Sequence, residues 1–234
     1  MKDSEYTWTI ADKREETPNV YTFSLTMDTP RPNFIAGQYL TIKLPGYNPV
    51  EGKAYSISSA PHEKHVTLSV KKIGNFSAEI LAKEIGDTII TAAPYGFFYP
   101  EEDDVDTLVF LAGGIGITPC ISIIDQLSSD KDNRLLHLFY SNQTVVDIVF
   151  HDRLLELANQ NKNFAYHSYI TRQEQVPAPH HQGRINVSDV LEKIPQEKPA
   201  TFFICGGMHF TGDLWKALRA SEVKAENIYT EGFF

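Results

Sequence analysis

Apolar and polar positions alternate through the first hundred residues. The segments YTWTIADK, NVYTFSLTM, QYLTIKL, KAYSISS, HVTLSVKK and DTIITAA are rich in β-branched and aromatic residues, and several repeat with a period of two. That period sends successive side chains to opposite faces of a pleated strand. Pro and Gly punctuate the segments in TPRPNF, LPGYNP, SAPHEK and APYG, as turns require. Six short strands with turns between them predict a closed antiparallel β-barrel. One stretch, FSAEILAKEIG, has helix-like spacing and stops at Gly86, which suits a C-terminal cap.

Near residue 100 the pattern changes. YPEEDDVDT is acidic and turn-like, and reads as a linker. Beyond it, apolar runs alternate with helical spacing. TLVFLA leads to TPCISIIDQLSS, RLLHLFYS to DIVFHDRLLELANQ, and NFAYHSYIT to INVSDVLEKI. ATFFICG leads to MHFTGDLWKALRA, and NIYTEGFF follows. Continuous apolar strands separated by helices imply βαβ units and a mostly parallel sheet covered on both faces. Two domains are expected: a barrel over residues 1–100 and an α/β domain over residues 105–234.

Composition narrows the function classes. With 234 residues and 42% hydrophobic content the chain can bury sizeable cores. Its net charge of −9 argues against nucleic acid, whose phosphates demand positive charge. No apolar run approaches the roughly 20 residues that cross a bilayer, so no membrane association is expected. MKDSEYTWTIADK has no apolar core and no small-residue cleavage site, so the cytoplasm is expected. Cys120 and Cys205 are the only cysteines, too few for a disulfide framework or a four-cysteine cluster. Residues 1–100 carry 10 basic and 11 acidic side chains; residues 101–234 carry 11 and 19. Lysines 43, 53, 64, 71, 72 and 83 face only Glu51, Glu63 and Glu79 within residues 43–83. That surplus would hold phosphates or an acidic partner, or is a solvated face.

Three stretches carry candidate chemistry. LAGGIGITP, Leu111 to Pro119, ends the second domain's first strand, where open α/β sheets bind ligands. Gly113, Gly114 and Gly116 allow a tight turn without a Cβ in the way. Thr118 reads as an N-cap with Pro119 at the first helical position, leaving free amides for an anion. In KAYSISS, Lys53 and Tyr55 share a strand face. There a cation could hold a phosphate while the ring lies along a flat heterocycle. In GNFS, Ser77 begins or caps a helix beside Lys71 and Lys72, also a place for an anion. Read singly, each also fits a plain turn, an ordinary barrel strand and an ordinary cap.

In this order and spacing, the three stretches resemble the ferredoxin–NADP reductase superfamily. There a flavin-binding antiparallel barrel precedes a Rossmann-like parallel sheet that binds a nicotinamide dinucleotide. The flavin motif R-x-Y-S/T stands here as Lys53-Ala54-Tyr55-Ser56. The pyrophosphate motif G-x-x-S stands as Gly74-Asn75-Phe76-Ser77, preceded by Val70-Lys71-Lys72 as the flavin-edge strand. The glycine motif matches at Gly113–Pro119, including Gly114, Gly116 and Thr118, with Ser122 following. Cys205-Gly206 matches the pair near the nicotinamide ring, and Glu231-Gly232-Phe233 matches a C-terminal E-x-F. Lys53 departs from the family's Arg and loses its bidentate fork. Gly207 and Phe210 stand where Pro and Met are usual.

The resemblance implies FAD, with FMN less favoured, and NADPH or NADH as hydride donor to flavin N5. Ser56, Cys205 and Glu231 are then the catalytic candidates. Phe233 or Phe234 would cover one flavin face and yield to nicotinamide. Thr171-Arg172, assisted by Arg184, would meet a 2′-phosphate, since Arg pairs well with one, and this favours NADP. Electrons would pass to ferredoxin, flavodoxin, an oxygenase component or a small acceptor, and a monomer is expected. His180-His181 have no ligand spacing to another His, Cys or acidic cluster, so no metal is assigned. The rival reading, favoured by Lys53, is a nucleotide-sensing or scaffolding module without redox turnover. A flavin-free dehydrogenase would leave the barrel unexplained.

Overall fold

The structure, a computed structural model, describes residues 5–101, 106–195 and 197–233. The barrel strands are β1 (Tyr6–Thr17), β2 (Val20–Thr26), β3 (Tyr39–Lys43), β4 (Lys53–Ser56), β5 (Val66–Lys71) and β6 (Thr88–Thr91), with helix α1 (Asn75–Leu81) before β6. They form one antiparallel sheet in the order β4-β3-β6-β1-β2-β5. An Ile57–Leu68 bridge joins its two edges. Alternation places Trp8, Phe23, Leu25, Leu40, Ile42 and Leu68 inside. The Trp8 indole donates to Thr91 Oγ1 at 2.9 Å, which satisfies its buried N–H.

Helix α1 stops at Leu81, five residues short of the expected Gly86. The barrel takes over there. Gly86 donates to the Ile10 carbonyl at 2.9 Å, and the Ile10 amide donates to Asp87 at 2.9 Å. These backbone groups enter the ladder toward β6, so they cannot remain helical. Gly86 instead makes a turn at φ +94°, a conformation glycine accepts readily.

The second sheet is wholly parallel, in the order β10-β9-β8-β7-β11-β12. Its strands are β7 (Thr107–Gly113), β8 (Leu135–Asn142), β9 (Phe164–Ile170), β10 (His181–Gln182), β11 (Ala200–Gly207) and β12 (Ile228–Phe233). The helices are α2 (Ile117–Ser129), α3 (His151–Gln160), α4 (Val187–Lys193) and α5 (Met208–Ala220). Every residue of β7 from Thr107 to Ala112 is buried, as a strand covered on both faces demands. Two details differ from the sequence pattern. Helix α3 starts at His151 rather than near Asp147, because Ile148, Val149 and Phe150 are spent as a buried plug. Asp147 instead accepts from the Thr144 amide and hydroxyl at 3.0 and 2.6 Å. The two-residue β10 was not expected.

Strand order reverses at β7, which has β8 on one side and β11 on the other. The crevice at such a point opens beyond the strands' carboxyl ends, here at Gly113 and Gly207. The halves meet through the Phe98–Phe203 ring contact at 5.3 Å and a 2.6 Å bond from Ser122 Oγ to the Ser59 carbonyl. Among the described residues, no helix is long and apolar enough to cross a membrane.

Candidate functional site

At the end of β7 the chain passes through a 3-10 turn, Gly114–Gly116, straight into α2. Gly114 takes φ +53°. Gly116 answers a different need: a Cβ there would lie 2.2 Å from the Cys205 carbonyl oxygen. Thr118 does not cap α2; Gly116 holds that place. The 3-10 turn brings helical backbone in before Thr118, whose hydroxyl instead donates to the Ile115 carbonyl at 3.0 Å. Pro119 therefore sits third in the helix rather than first. Its missing N–H still falls among first-turn amides that lack intrahelical partners.

On the barrel side, Lys53 and Tyr55 do share a face, and both meet Phe76. Lys53 Nζ lies 5.4 Å from the Phe76 ring centre. The Tyr55 ring is stacked at 6.5 Å and 17° to Phe76. Burial pushes the Tyr55 phenol up to about 12, so it stays protonated. Ala54 is exposed between them. Gly74, not Ser77, is the N-cap of α1. The Ser77 hydroxyl accepts from the amides of Ile73 and Gly74 at 2.9 and 3.1 Å and donates to the Gly74 carbonyl. Its side chain thus shapes the turn. Lys71 borders the same cavity. Val70 points into the barrel core, and Lys72 is exposed.

The two halves converge on Ser56 and Glu231. Ser56 Oγ donates to Glu231 Oε1 at 3.4 Å. Glu231 lies on β12 beside Cys205 of β11 in the parallel register. Burial pushes its carboxyl up to about 7, against the pull of the Ser56 hydrogen bond. Its second oxygen, Oε2, is buried and has no partner among the described residues. Cys205 is fully buried, and burial, then Cys120 and Glu231, raise its thiol well above the usual range. It is a neutral thiol, not a nucleophile. Gly206 packs under the Phe210 ring, where a Cβ would come within 2.6 Å of Cδ1.

A cavity of about 480 Å³ lies between barrel and parallel sheet; Glu231, Cys205, Gly114, Gly116 and Gly206 stand near it but outside its lining. Lys53, Tyr55, Ser56, Ser69, Lys71, Gly74, Phe76 and Ser77 line it from the barrel; Ile115, Thr118, Gly232 and Phe233 line it from the other half. Flat aromatic walls and lysines at one side suit a planar heterocycle carrying phosphates, and the Glu231 carboxyl stands behind the wall at Ser56. Thr171, Arg172 and Arg184 do not line the cavity. Thr171 bonds the Asn142 carbonyl through both amide and hydroxyl at 3.0 Å, and both arginines are exposed near the ends of β9 and β10. Phe234 lies outside the described residues. Among the described residues, no group of three or more His, Cys, Asp or Glu could hold a metal.

Sequence reasoning passed over two residues here. Tyr39, in register with Ser56 across β3 and β4, has its phenol raised by burial, then by Glu231 and Tyr95. Tyr47 packs edge-on to Phe76 at 6.3 Å and donates to Glu79 at 2.7 Å. Tyr39 opens β3 and Tyr47 follows that strand in a loop, but the sequence does not show which neighbour either one meets.

Comparison with known proteins agrees with this geometry. Residues 7–99 match the family model "Oxidoreductase FAD-binding domain", and residues 110–214 match "Oxidoreductase NAD-binding domain". The chain belongs to the ferredoxin–NADP reductase superfamily, with an FAD-binding half and an NAD-binding half. It is 28% identical to a flavohemoprotein of Oceanobacillus iheyensis over 238 residues, covering 96% of this chain and 58% of that one. It is 27% identical to the electron transfer component of 2-halobenzoate 1,2-dioxygenase from Burkholderia cepacia, covering 100% of this chain and 69% of that one. The fold matches the FAD/NAD-binding domain of nitric oxide dioxygenase from Vibrio cholerae with a TM-score of 0.86, at 22% identity and 99% coverage of both chains. The chain thus spans little more than half the length of the flavohemoproteins it resembles.

Proposed function

We propose that this chain is a flavin-dependent NAD(P)H oxidoreductase: it takes a hydride from NAD(P)H into bound FAD and hands electrons to an acceptor. In this reading residues 1–100 hold the flavin and residues 105–234 hold the dinucleotide. The observation that carries it is the Ser56–Glu231 hydrogen bond at a cavity walled by both halves. Such a cavity brings two bound rings together, which is what hydride transfer needs. When bound, the flavin accepts two electrons and can release them singly.

The chain's own residues position and shield. Tyr55 and Phe76 offer a flat wall, and Lys53 and Lys71 offer charge for phosphates. Lys53 does so as a point charge. Glu231, with a carboxyl near 7, holds or releases a proton in the cleft close to neutral pH, and Ser56 is its hydrogen-bond partner. Cys205, buried and neutral, backs Glu231 from the neighbouring strand. Phe233 lines the cavity from the β12 side and acts as its lid. Gly114, which has open space where a Cβ would stand, and the first-turn amides of α2 leave room for a diphosphate. Arg172 and Arg184 favour NADPH over NADH.

The acceptor is an electron-transfer protein or an oxygenase component, as the name of the Burkholderia relative suggests for that protein. The protein is monomeric and cytoplasmic in this reading, with both cysteines free and buried. One spectrum tests the whole. The purified protein should be yellow and should bleach when NADPH or NADH is added under nitrogen. Colourless protein that cannot be reconstituted with FAD overturns the reading in favour of a nucleotide sensor.

A further inference from the structure

Away from the cavity, one arginine spans the two halves. Arg153, in the first turn of α3, lies between two carboxylates. Its guanidinium donates to Glu63 Oε1 at 2.9 Å, in the barrel loop between β4 and β5. It also pairs with Asp125 of α2. Other ion pairs, such as Lys13–Glu84 and Arg134–Asp132, stay within one half.

The same loop and helix touch at two further points. Ser122 Oγ donates to the Ser59 carbonyl at 2.6 Å, and His62 Nδ1 meets Gln126 Oε1 at 3.1 Å. Ser122, Asp125 and Gln126 fall at i, i+3 and i+4, so one face of α2 is fastened to the loop. Glu63 is held ready: its Oε1 also accepts the Ala60 amide at 2.7 Å. Asp125 is buried and depends on the arginine. Burial pushes its carboxyl up to about 7, Arg153 pulls it down, Glu63 raises it and His62 lowers it.

Loop and helix are continuous with opposite walls of the cavity. Strand β4, which precedes the loop, supplies Lys53, Tyr55 and Ser56; the start of α2 supplies Thr118. Asp125 is seven residues beyond Thr118, about 10 Å along a rigid helix. A change in the gap at the fastening therefore reaches the cavity. We propose that Arg153 is a positioning residue, which with Glu63 and Asp125 clamps the barrel to the nucleotide half and sets the width of the cleft where the dinucleotide docks. The inference rests on the reading of that cleft as the meeting place of flavin and NAD(P)H.

Glu63→Gln in the FAD-loaded protein is the test. It keeps an acceptor for the Ala60 amide and leaves the Arg153–Asp125 pair intact, so the fold survives. The dissociation constant for NADPH or NADH, read by calorimetry, should rise about three- to tenfold and lose part of its salt dependence. The melting temperature should move by no more than about 2 °C. Arg153→Lys should lie between wild type and Glu63→Gln, and should add nothing in the Glu63→Gln background. Unchanged affinity in Glu63→Gln, or a loss that simply follows unfolding, overturns the clamp. Spin labels on Asp28→Cys and Lys216→Cys give an independent reading, with or without FAD. Their distance distribution should broaden in Glu63→Gln, and an unaltered distribution counts against the clamp. If wild type binds neither FAD nor dinucleotide while the labels still report a clamp, the functional reading fails and the clamp stands.

Discussion

The barrel and the parallel sheet meet at one cavity but bring different material to it. The barrel brings side chains. Strand β4 exposes Lys53 and Ala54, half-exposes Tyr55 and buries Ser56, because an antiparallel strand can turn one row of residues outward. The parallel half brings strand ends and turns, with Ile115, Thr118, Gly232 and Phe233 at the cavity. Strand β7 is buried from Thr107 to Ala112, so only its carboxyl end is available, and there the three glycines leave Ile115 and Thr118 as the side chains that reach the cavity. Chemistry can thus be placed in mid-strand on a barrel, but only at the ends of the central strands of a covered sheet; Glu231 escapes that limit because β12 is an edge strand.

If this contrast holds, substitutions in the parallel half should damage the fold, and those in the barrel half should damage binding or rate. Gly116→Ala should have the largest effect. Its Cβ would meet the Cys205 carbonyl oxygen at 2.2 Å, and backbone cannot swing aside. A loss of about 3 kcal/mol or more is expected, seen as a drop of about 10 °C in thermal unfolding. A stable Gly116→Ala protein would break the comparison. Ser56→Ala should slow flavin reduction several-fold or more in stopped-flow mixing, with the melting point nearly unchanged. A normal rate removes Ser56 from the chemistry.

Glu231→Gln sharpens the comparison at the junction. The Glu231 carboxyl is raised from 4.5 to about 7, so the folded state holds its proton more tightly. The stability this confers is fully present below pH about 4.5 and is lost as pH rises through about 7. Asp125, raised from 3.8 to about 7, acts with the same sign. Glu231→Gln should therefore flatten, but not abolish, the decline in melting temperature across that window; an unchanged slope contradicts the assignment. The smallest effect belongs to Gly74→Ala. No atom lies within 4 Å of the added Cβ, and φ −164° is open to any residue. Stability should shift by no more than about 0.5 kcal/mol in denaturant titration.

Much of this was legible along the chain. The six barrel strands follow from alternation, and the parallel strands from unbroken apolar runs such as TLVFLA and ATFFICG. Lys53, Tyr55 and Ser77 could be picked out because their types recur at motif spacing. Other features were hidden for definite reasons. The end of α1 depends on Gly86 pairing with Ile10, a contact across 76 positions. The cap of α2 depends on a 3-10 turn, which two glycines permit but do not announce. Arg153 looks like any surface arginine on a helix until Glu63, 90 residues earlier, comes to meet it.

Periodicity and glycine placement alone determined that a barrel precedes an α/β sheet, and that a glycine-rich turn ends the first parallel strand. Both are local properties, set by side-chain direction and allowed backbone angles within a few residues. Tertiary structure decided the rest: that Ser56 faces Glu231 across 175 positions, that burial lifts that carboxyl to about 7, and that Arg153 ties the halves together. Desolvation and ion pairing depend on what packs nearby in space, and only the folded chain defines that neighbourhood.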